Sequence, residues 1–352
     1  MTFLTDFIQG STNRPTLVVL QSSTAQSTLP VLLYLISQLV AKSQSTETIL
    51  FSLLHPPKDL LPSTGSQDFE VHDWLDHVPD YGPSDGSPAG LGILFCVEQA
   101  LSRTSFPIHV VVDSVDTLAS DLGSNTAAYT HISAVHSRIV SRPGSTLILH
   151  GGDPSLVSLL VQPSLAHSLL YIKGHPPTLV SYIATEYLTP PPPFSPAAKF
   201  WSIFAPLSER QHTINELVFG TDEQIQRDTK EILLETLIRT TGRKRSVEKE
   251  LEAWSTVAGS CTWTQLESLR SVWSKQSSLE PAPAVDPTQN LSFNLGMTTA
   301  QQEARAQVPL PYVHDENQPE KPRLSANQGV ILYDPDSADD IDDDDPDEDL
   351  DI

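Results

Sequence analysis

Between Thr16 and Val40 the chain runs apolar strand, polar loop, apolar helix, and that order admits few folds. Thr16-Leu17-Val18-Val19-Leu20 is short, apolar and partly β-branched, the pattern of a buried strand. The eight residues Gln21-Ser-Ser-Thr-Ala-Gln-Ser-Thr28 follow, and an apolar helix starts near Pro30. Proline suits a first helical turn, where its missing N–H is no loss, and Ser27 or Thr28 can cap the helix. This is the layout of a phosphate-binding loop between strand one and helix one. The chemistry of such a loop is missing. Gln21 and Gln26 fill the two glycine slots, Ser27 fills the lysine slot, and only Thr28 fits the closing Ser/Thr. Side chains crowd the amides that would cradle phosphate, and no cation reaches the β- and γ-phosphates. The segment reads as a structural strand–helix turn.

Strands and helices keep alternating up to residue 188. Phe3 to Gly10 is a short amphipathic opening, Thr48 to Leu54 a second strand stopped by Pro56-Pro57, and Phe69 to Asp73 a third. Pro79 to Gly90 is loop and Leu91 to Leu101 helix. Ile108-His-Val-Val-Val-Asp113 has the shape of a Walker B strand. With no lysine loop to pair with, Asp113 reads as a turn or cap residue. Ala127 to Val140 is helical, with His131 and His136 as ordinary polar positions. Ser145 to His150 is a strand, and Gly151-Gly152-Asp153-Pro154 opens the next helix. The His-Gly-Gly sequence resembles an esterase oxyanion loop, but no Gly-x-Ser-x-Gly elbow exists to supply a nucleophile. Leu169–Ile172 and Thr178–Leu188 read as an edge hairpin joined through Gly174 and Pro176-Pro177. The alternation predicts a largely parallel sheet with helices on both faces.

Pro190 to Pro193 is expected to be a stiff extended connector. Beyond it, Phe200 to Pro206 and Glu231 to Arg239 read as strands, the latter able to continue the first sheet. Val247 to Trp254 reads as a helix, and Thr264 with Glu267 as a capping box for another from Gln265 to about Ser274. Glu280 to Gln289 is Pro/Ala-rich linker. From Leu291 onward isolated anchors stand in polar chain: Leu291, Phe293, Leu295, Val308, Leu310 and Tyr312. So few anchors cannot offset the loss of chain entropy, so this segment should not fold alone. Anchors on alternate residues suit pairing with another subunit's edge or groove, and composition alone fits plain disorder equally well.

Charge narrows the function classes. The chain of 352 residues carries 44 acidic and 21 basic side chains, a formal charge of −23. From Asp334 to the end there are 12 acids and no base, leaving 32 acids against 21 bases, or −11, for the body. An autonomous nucleic-acid binder is not expected from such a body. The only basic cluster in view is Arg243-Lys244-Arg245, the one candidate for touching RNA backbone, though it reads more readily as a solvated turn that balances nearby acids. Cys96 and Cys261 are the only cysteines, too few for a zinc tetrad or a disulfide framework, which suits a reducing compartment. The N-terminus lacks a signal-peptide pattern, and the longest apolar helix, about Leu29 to Ala41, is too short to cross a bilayer. A soluble intracellular protein is expected. No residue set for a catalytic centre, cofactor or metal emerges.

Three stretches together resemble the Elongator subunit 5 family. They are Trp201-Ser-Ile-Phe-Ala-Pro206 through Ser208-Glu-Arg210 to Glu216-Leu-Val-Phe-Gly220; Gly242 to Trp254; and Leu291-Ser-Phe-Asn-Leu-Gly296 with Gln301, Arg305, Val308 and Leu310-Pro-Tyr312, then Tyr333-Asp-Pro-Asp336 and the closing Asp-Pro-Asp-Glu-Asp-Leu-Asp-Ile352. The resemblance implies a RecA-like fold without a functional Walker A loop. It implies a six-membered ring with Elongator subunits 4 and 6, joined to a catalytic subcomplex that carries the acetyl-CoA and iron–sulfur enzyme. It also implies support of carboxymethyl-type modification of the tRNA wobble uridine, tRNA contact through the assembled ring, and a cytoplasmic and nuclear location. No cofactor is implied for this subunit.

The chain is accordingly expected to divide into a RecA-like α/β core at 1–189, a Pro-linked β/α extension continuing that core at 190–278, and an extended partner-binding segment with an acidic disordered tail at 279–352. Two rival functions stand against assembly: an NTPase with a divergent site using Asp113 and Thr28 on the metal, and an acidic-tail chaperone for basic proteins.

Overall fold

The computed structural model describes residues 2–10, 14–41, 46–61, 69–76, 89–220, 230–240, 246–272 and 299–307. The chain has two compact units, Met1–Glu280 and Pro281–Ile352. In chain order the first holds α1 (Phe3–Gln9), β1 (Leu17–Gln21), α2 (Leu29–Ala41), β2 (Glu47–Ser52), a single turn α3 (Pro57–Leu60) and β3 (Phe69–Asp73). There follow α4 (Ala89–Arg103), β4 (Ile108–Val112), α5 (Val115–Asp121), α6 (Asn125–Val140), β5 (Thr146–Gly151), α7 (Pro154–Leu160) and β6 (Leu169–His175). The unit ends with α8 (Thr178–Glu186), α9 (Ala197–Glu209), α10 (Gln211–Phe219), β7 (Glu231–Thr240), β8 (Ser246–Ser255) and β9 (Gly259–Thr262). Within the second unit, α11 (Thr299–Ala306) is described.

Among the described residues one nine-stranded sheet runs in the order β3-β2-β4-β5-β1-β6-β7-β8-β9. β1 to β6 pair in parallel, and β7, β8 and β9 continue the sheet antiparallel. With helices on both faces this is the RecA-like α/β layout. β1 shows why its sequence is unbroken by polar residues from Leu17 to Leu20. Leu17 and Val19 pack in the cluster formed with α4 to α7, while Val18 and Leu20 face α1 and α2. Four fully buried side chains at about 1.5–3 kcal/mol each outweigh any single hydrogen bond in the loop that follows. Burial therefore sets the strand, and the loop adapts to it. α2 buries Val31, Leu32, Leu35, Ile36 and Leu39, the spacing of one helical face.

Several local expectations change. Thr178–Glu186 is a helix, and β6 lies inside the sheet between β1 and β7, so the edge hairpin does not exist. Pro176 and Pro177 carbonyls accept the N–H groups of Leu179 and Val180, so the prolines start a helix instead of turning a hairpin. Phe200 to Pro206 lies in α9, whose buried Phe200, Phe204 and Leu207 follow helical spacing. The prolines after Thr189 fold back, with Phe194 N–H bonded to Pro191 C=O, and do not form a straight connector.

Val247 to Trp254 lies in β8, held along its whole length by β7. The pairing partner decided what the charged sequence left open. The capping box is Thr262 with Gln265, over a 3₁₀ turn at Trp263–Gln265. Glu267 instead offers its N–H to Glu231 at 2.8 Å.

Candidate functional site

In open α/β sheets ligands sit beyond the carboxyl ends of the parallel strands, and here the loop after β1 occupies that place with its own atoms. Thr28 has no exposed surface. Its N–H donates to Ser22 Oγ at 2.9 Å, and its hydroxyl lies 3.0 Å from the same oxygen. Ser23 N–H bonds Gln26 C=O at 2.8 Å, and Gln26 N–H returns to Ser23 Oγ at 3.1 Å. Leu29 N–H, at the start of α2, is capped by Ser27 Oγ at 3.1 Å. Amides that would face a phosphate are thus bonded within the loop. From the neighbouring strand, Gly174 lets Thr28 settle: a Cβ there would stand 2.6 Å from Thr28 Cγ2.

The loop is tied to two further strand ends. Ser22 Oγ lies 2.9 Å from His150 Nε2, and His150 Nδ1 lies 2.8 Å from the Asp113 carbonyl. A carbonyl only accepts, so Nδ1 carries the proton and Nε2 accepts the Ser22 hydroxyl. Burial lowers the His150 pKa and favours this neutral form.

Asp113, at the end of β4, is a turn residue. Its carboxylate accepts N–H bonds from Leu53 at 2.7 Å, Leu54 at 3.0 Å and His55 at 2.7 Å, and it is fully buried. Both metal-binding residues of the rival NTPase reading are therefore engaged elsewhere. After the His-Gly-Gly sequence the carboxylate of Asp116 takes two successive amides, Gly152 N–H at Oδ2 at 2.5 Å and Asp153 N–H at Oδ1 at 3.1 Å. His136 is buried and lies 3.1 Å from Thr16 Oγ1, a core position and not an ordinary polar one.

Two clefts flank the loop. One of about 240 Å³ is bounded by Ser23, Thr24, Lys173, His175, Glu209 and Asn215. A wider one of about 730 Å³ lies against Ser27, Pro177, Phe219, Lys230 and Val257. Behind the smaller cleft, His175 Nε2 lies 2.8 Å from Glu235 Oε2, and Lys249 Nζ lies 2.5 Å from Glu235 Oε1. Burial alone would raise the Glu235 pKa; the His175 hydrogen bond and the Lys249 charge outweigh it and hold the carboxyl at about 2. Burial also pushes His175 toward its neutral form. Lys249 lies over the Trp201 ring, 4.8 Å from its centroid, so this group fastens α9 to the sheet. Among the described residues no group of three or more His, Cys, Asp or Glu is placed to hold a metal.

The sequence-predicted contact residues Leu291, Phe293, Leu295, Val308, Leu310, Tyr312, Arg243, Lys244 and Arg245 lie outside the described residues. Residue patterns did not disclose the links between Ser22, His150 and Asp113, because the three are joined only by the order of the strands.

A family model described as "Elongator subunit Iki1" matches residues 3–334. Elongator complex protein 5 of Homo sapiens is 41% identical over 73 residues, 20% of this chain and 24% of that protein. The Danio rerio protein of the same name is 42% identical over 69 residues, 19% of this chain and 23% of that one. The aligned stretch spans about a quarter of these curated relatives. A KaiC-like protein from Pyrococcus horikoshii shares 11% identity at a TM-score of 0.38, covering 70% of this chain and 88% of that one.

Sheet order and loop together define a RecA-like α/β protein whose phosphate-loop position is filled from within. The chain belongs to the Elongator subunit Iki1 family.

Proposed function

We propose that this chain is a non-catalytic assembly subunit of Elongator. It builds a hexameric RecA-like ring with Elongator subunits 4 and 6, and the ring supports carboxymethyl-type modification of the tRNA wobble uridine. The single observation behind this reading is the closed loop: Ser22, Ser23 and Ser27 side chains hold the amides of Thr28, Gln26 and Leu29. A chain that keeps the sheet but fills its own phosphate position suits a building block better than an engine. tRNA meets the assembled ring, with Arg243, Lys244 and Arg245 as this chain's contribution. Leu291, Phe293, Leu295, Val308, Leu310 and Tyr312 dock on a neighbouring subunit. The ring joins the catalytic Elongator subcomplex, in cytoplasm and nucleus.

Calorimetric titration of the purified chain with ATP and Mg²⁺ tests the non-catalytic part. No heat of binding is expected; binding with sustained turnover by the chain alone would replace this reading with that of a divergent NTPase. Recovery of subunit 4 with a chain cut after Glu280 tests the anchors, and undiminished recovery would remove them from the interface. Replacing Arg243, Lys244 and Arg245 with alanine should lower the ring's tRNA affinity and flatten its salt dependence.

A further inference from the structure

We propose that the outer edge of β8, from Ser246 to Leu251, is a strand-addition site for an extended segment of another protein with basic residues at alternate positions. The ring reading assigns no contact to these six residues, so this proposal does not rest on it. β7 covers the inner side of β8 throughout, from Glu231↔Ser255 to Thr240↔Ser246 without a bulge. On the outer side β9 pairs only with Glu252 to Ser255. Among the described residues no strand lies along the remaining six, a length of about 20 Å at 3.4 Å per residue, which matches an ordinary strand.

The register shows which backbone groups are open. Thr256 N–H donates to Lys230 C=O at 2.9 Å, and residues 230 and 256 share the register of Ile232↔Trp254. Residues that exchange hydrogen bonds alternate along an antiparallel pair. Even-numbered residues of β8 therefore bond β7, and Val247, Lys249 and Leu251 turn their N–H and C=O groups outward.

Edges of this kind are ordinarily blunted by proline, a bulge or an outward lysine. β8 has neither proline nor bulge, and Lys249 is drawn to Glu235 and the Trp201 ring. What remains at the edge is Val247, 64% exposed, on one face and the exposed Glu248 and Glu250 on the other. These carboxylates choose the occupant. Antiparallel pairing with a second copy centred on this stretch sets even residues against even residues, glutamate against glutamate, which is unfavourable. A strand with lysine or arginine at alternate positions meets the same carboxylates favourably, and its backbone meets Val247, Lys249 and Leu251. Recognition is of the β-augmentation type.

The test uses the full chain and two labelled peptides, Thr-Lys-Val-Lys-Val-Lys-Thr and its glutamate analogue, with binding read by fluorescence anisotropy. Amide exchange is followed at Val247, Lys249 and Leu251. The basic peptide should bind at least about tenfold more tightly than the acidic one and slow exchange at those three amides. Val247→Pro removes an outward N–H that β7 does not use, and should abolish the protection. The double variant Glu248→Lys with Glu250→Lys should reverse the peptide preference, and it serves if the proline variant fails to fold. The proposal is overturned by absence of binding, or by binding through the acidic tail alone. The tail outcome would leave the amides unprotected and both variants like the parent.

Discussion

Asp113 closes the turn after β2 by accepting three backbone N–H bonds while fully buried. Asp113→Ala leaves those donors without a partner and should destabilise the chain by about 2–4 kcal/mol, measured by urea unfolding. Glu252, on β8, accepts N–H bonds from Phe3 and Leu4 at the start of α1. Burial, with Glu250 and Asp6 nearby, raises its pKa to about 7 against those two bonds. A folded pKa above the unfolded one means that the protonated form favours folding. The contribution is complete below pH ~4.5 and is lost as pH rises through about 7. Glu252→Gln should therefore gain about 1–3 kcal/mol relative to the parent at pH 8 and little at pH 5, read as the difference between their unfolding curves. The sequence disclosed that Asp113 ends a strand and serves a turn. It gave no sign of the Glu252 contact, because that residue meets α1 across some 250 positions of chain.

Elements whose burial pattern is local were the legible ones. β1, α2, β4 and β5 are each apolar over a span that fits one element, and the structure has them within a residue or two of the sequence reading. α9 was misread because aromatic and β-branched residues favour strands, although Phe200, Phe204 and Leu207 already had helical spacing. β8 was misread for the opposite reason: five of its ten residues, from Glu248 to Glu252, include four charges, and only the pairing with β7 makes them a strand. The β1–α2 loop was recognised as structural, yet its closure depends on β6. Gly174→Ala forces a Cβ toward Thr28 Cγ2 and should cost about 1–3 kcal/mol, seen as a lower denaturation midpoint.

For the molecule as a whole, alternation predicted the α/β sheet, and Glu231 to Arg239 does continue it antiparallel to β6. The order of nine strands was not legible, since it is fixed by contacts distant in sequence. The compact unit Met1–Glu280 contains the whole sheet and its three apolar clusters. A chain ending at Glu280 should accordingly melt in one cooperative step within about 2 °C of the full chain, checked by calorimetry. The seal over the first loop also bears on which sequence changes the fold tolerates. Placing glycine at 21 and 26 and lysine at 27 would strip the Tyr171 hydroxyl of its Gln21 partner, the Ser27 carbonyl of the Gln26 amide and the Leu29 N–H of its Ser27 cap, so each step toward gripping a triphosphate would first weaken the scaffold. Gaining that grip is uphill from the outset, and variants of such a chain are steered toward new surfaces in preference to phosphate chemistry.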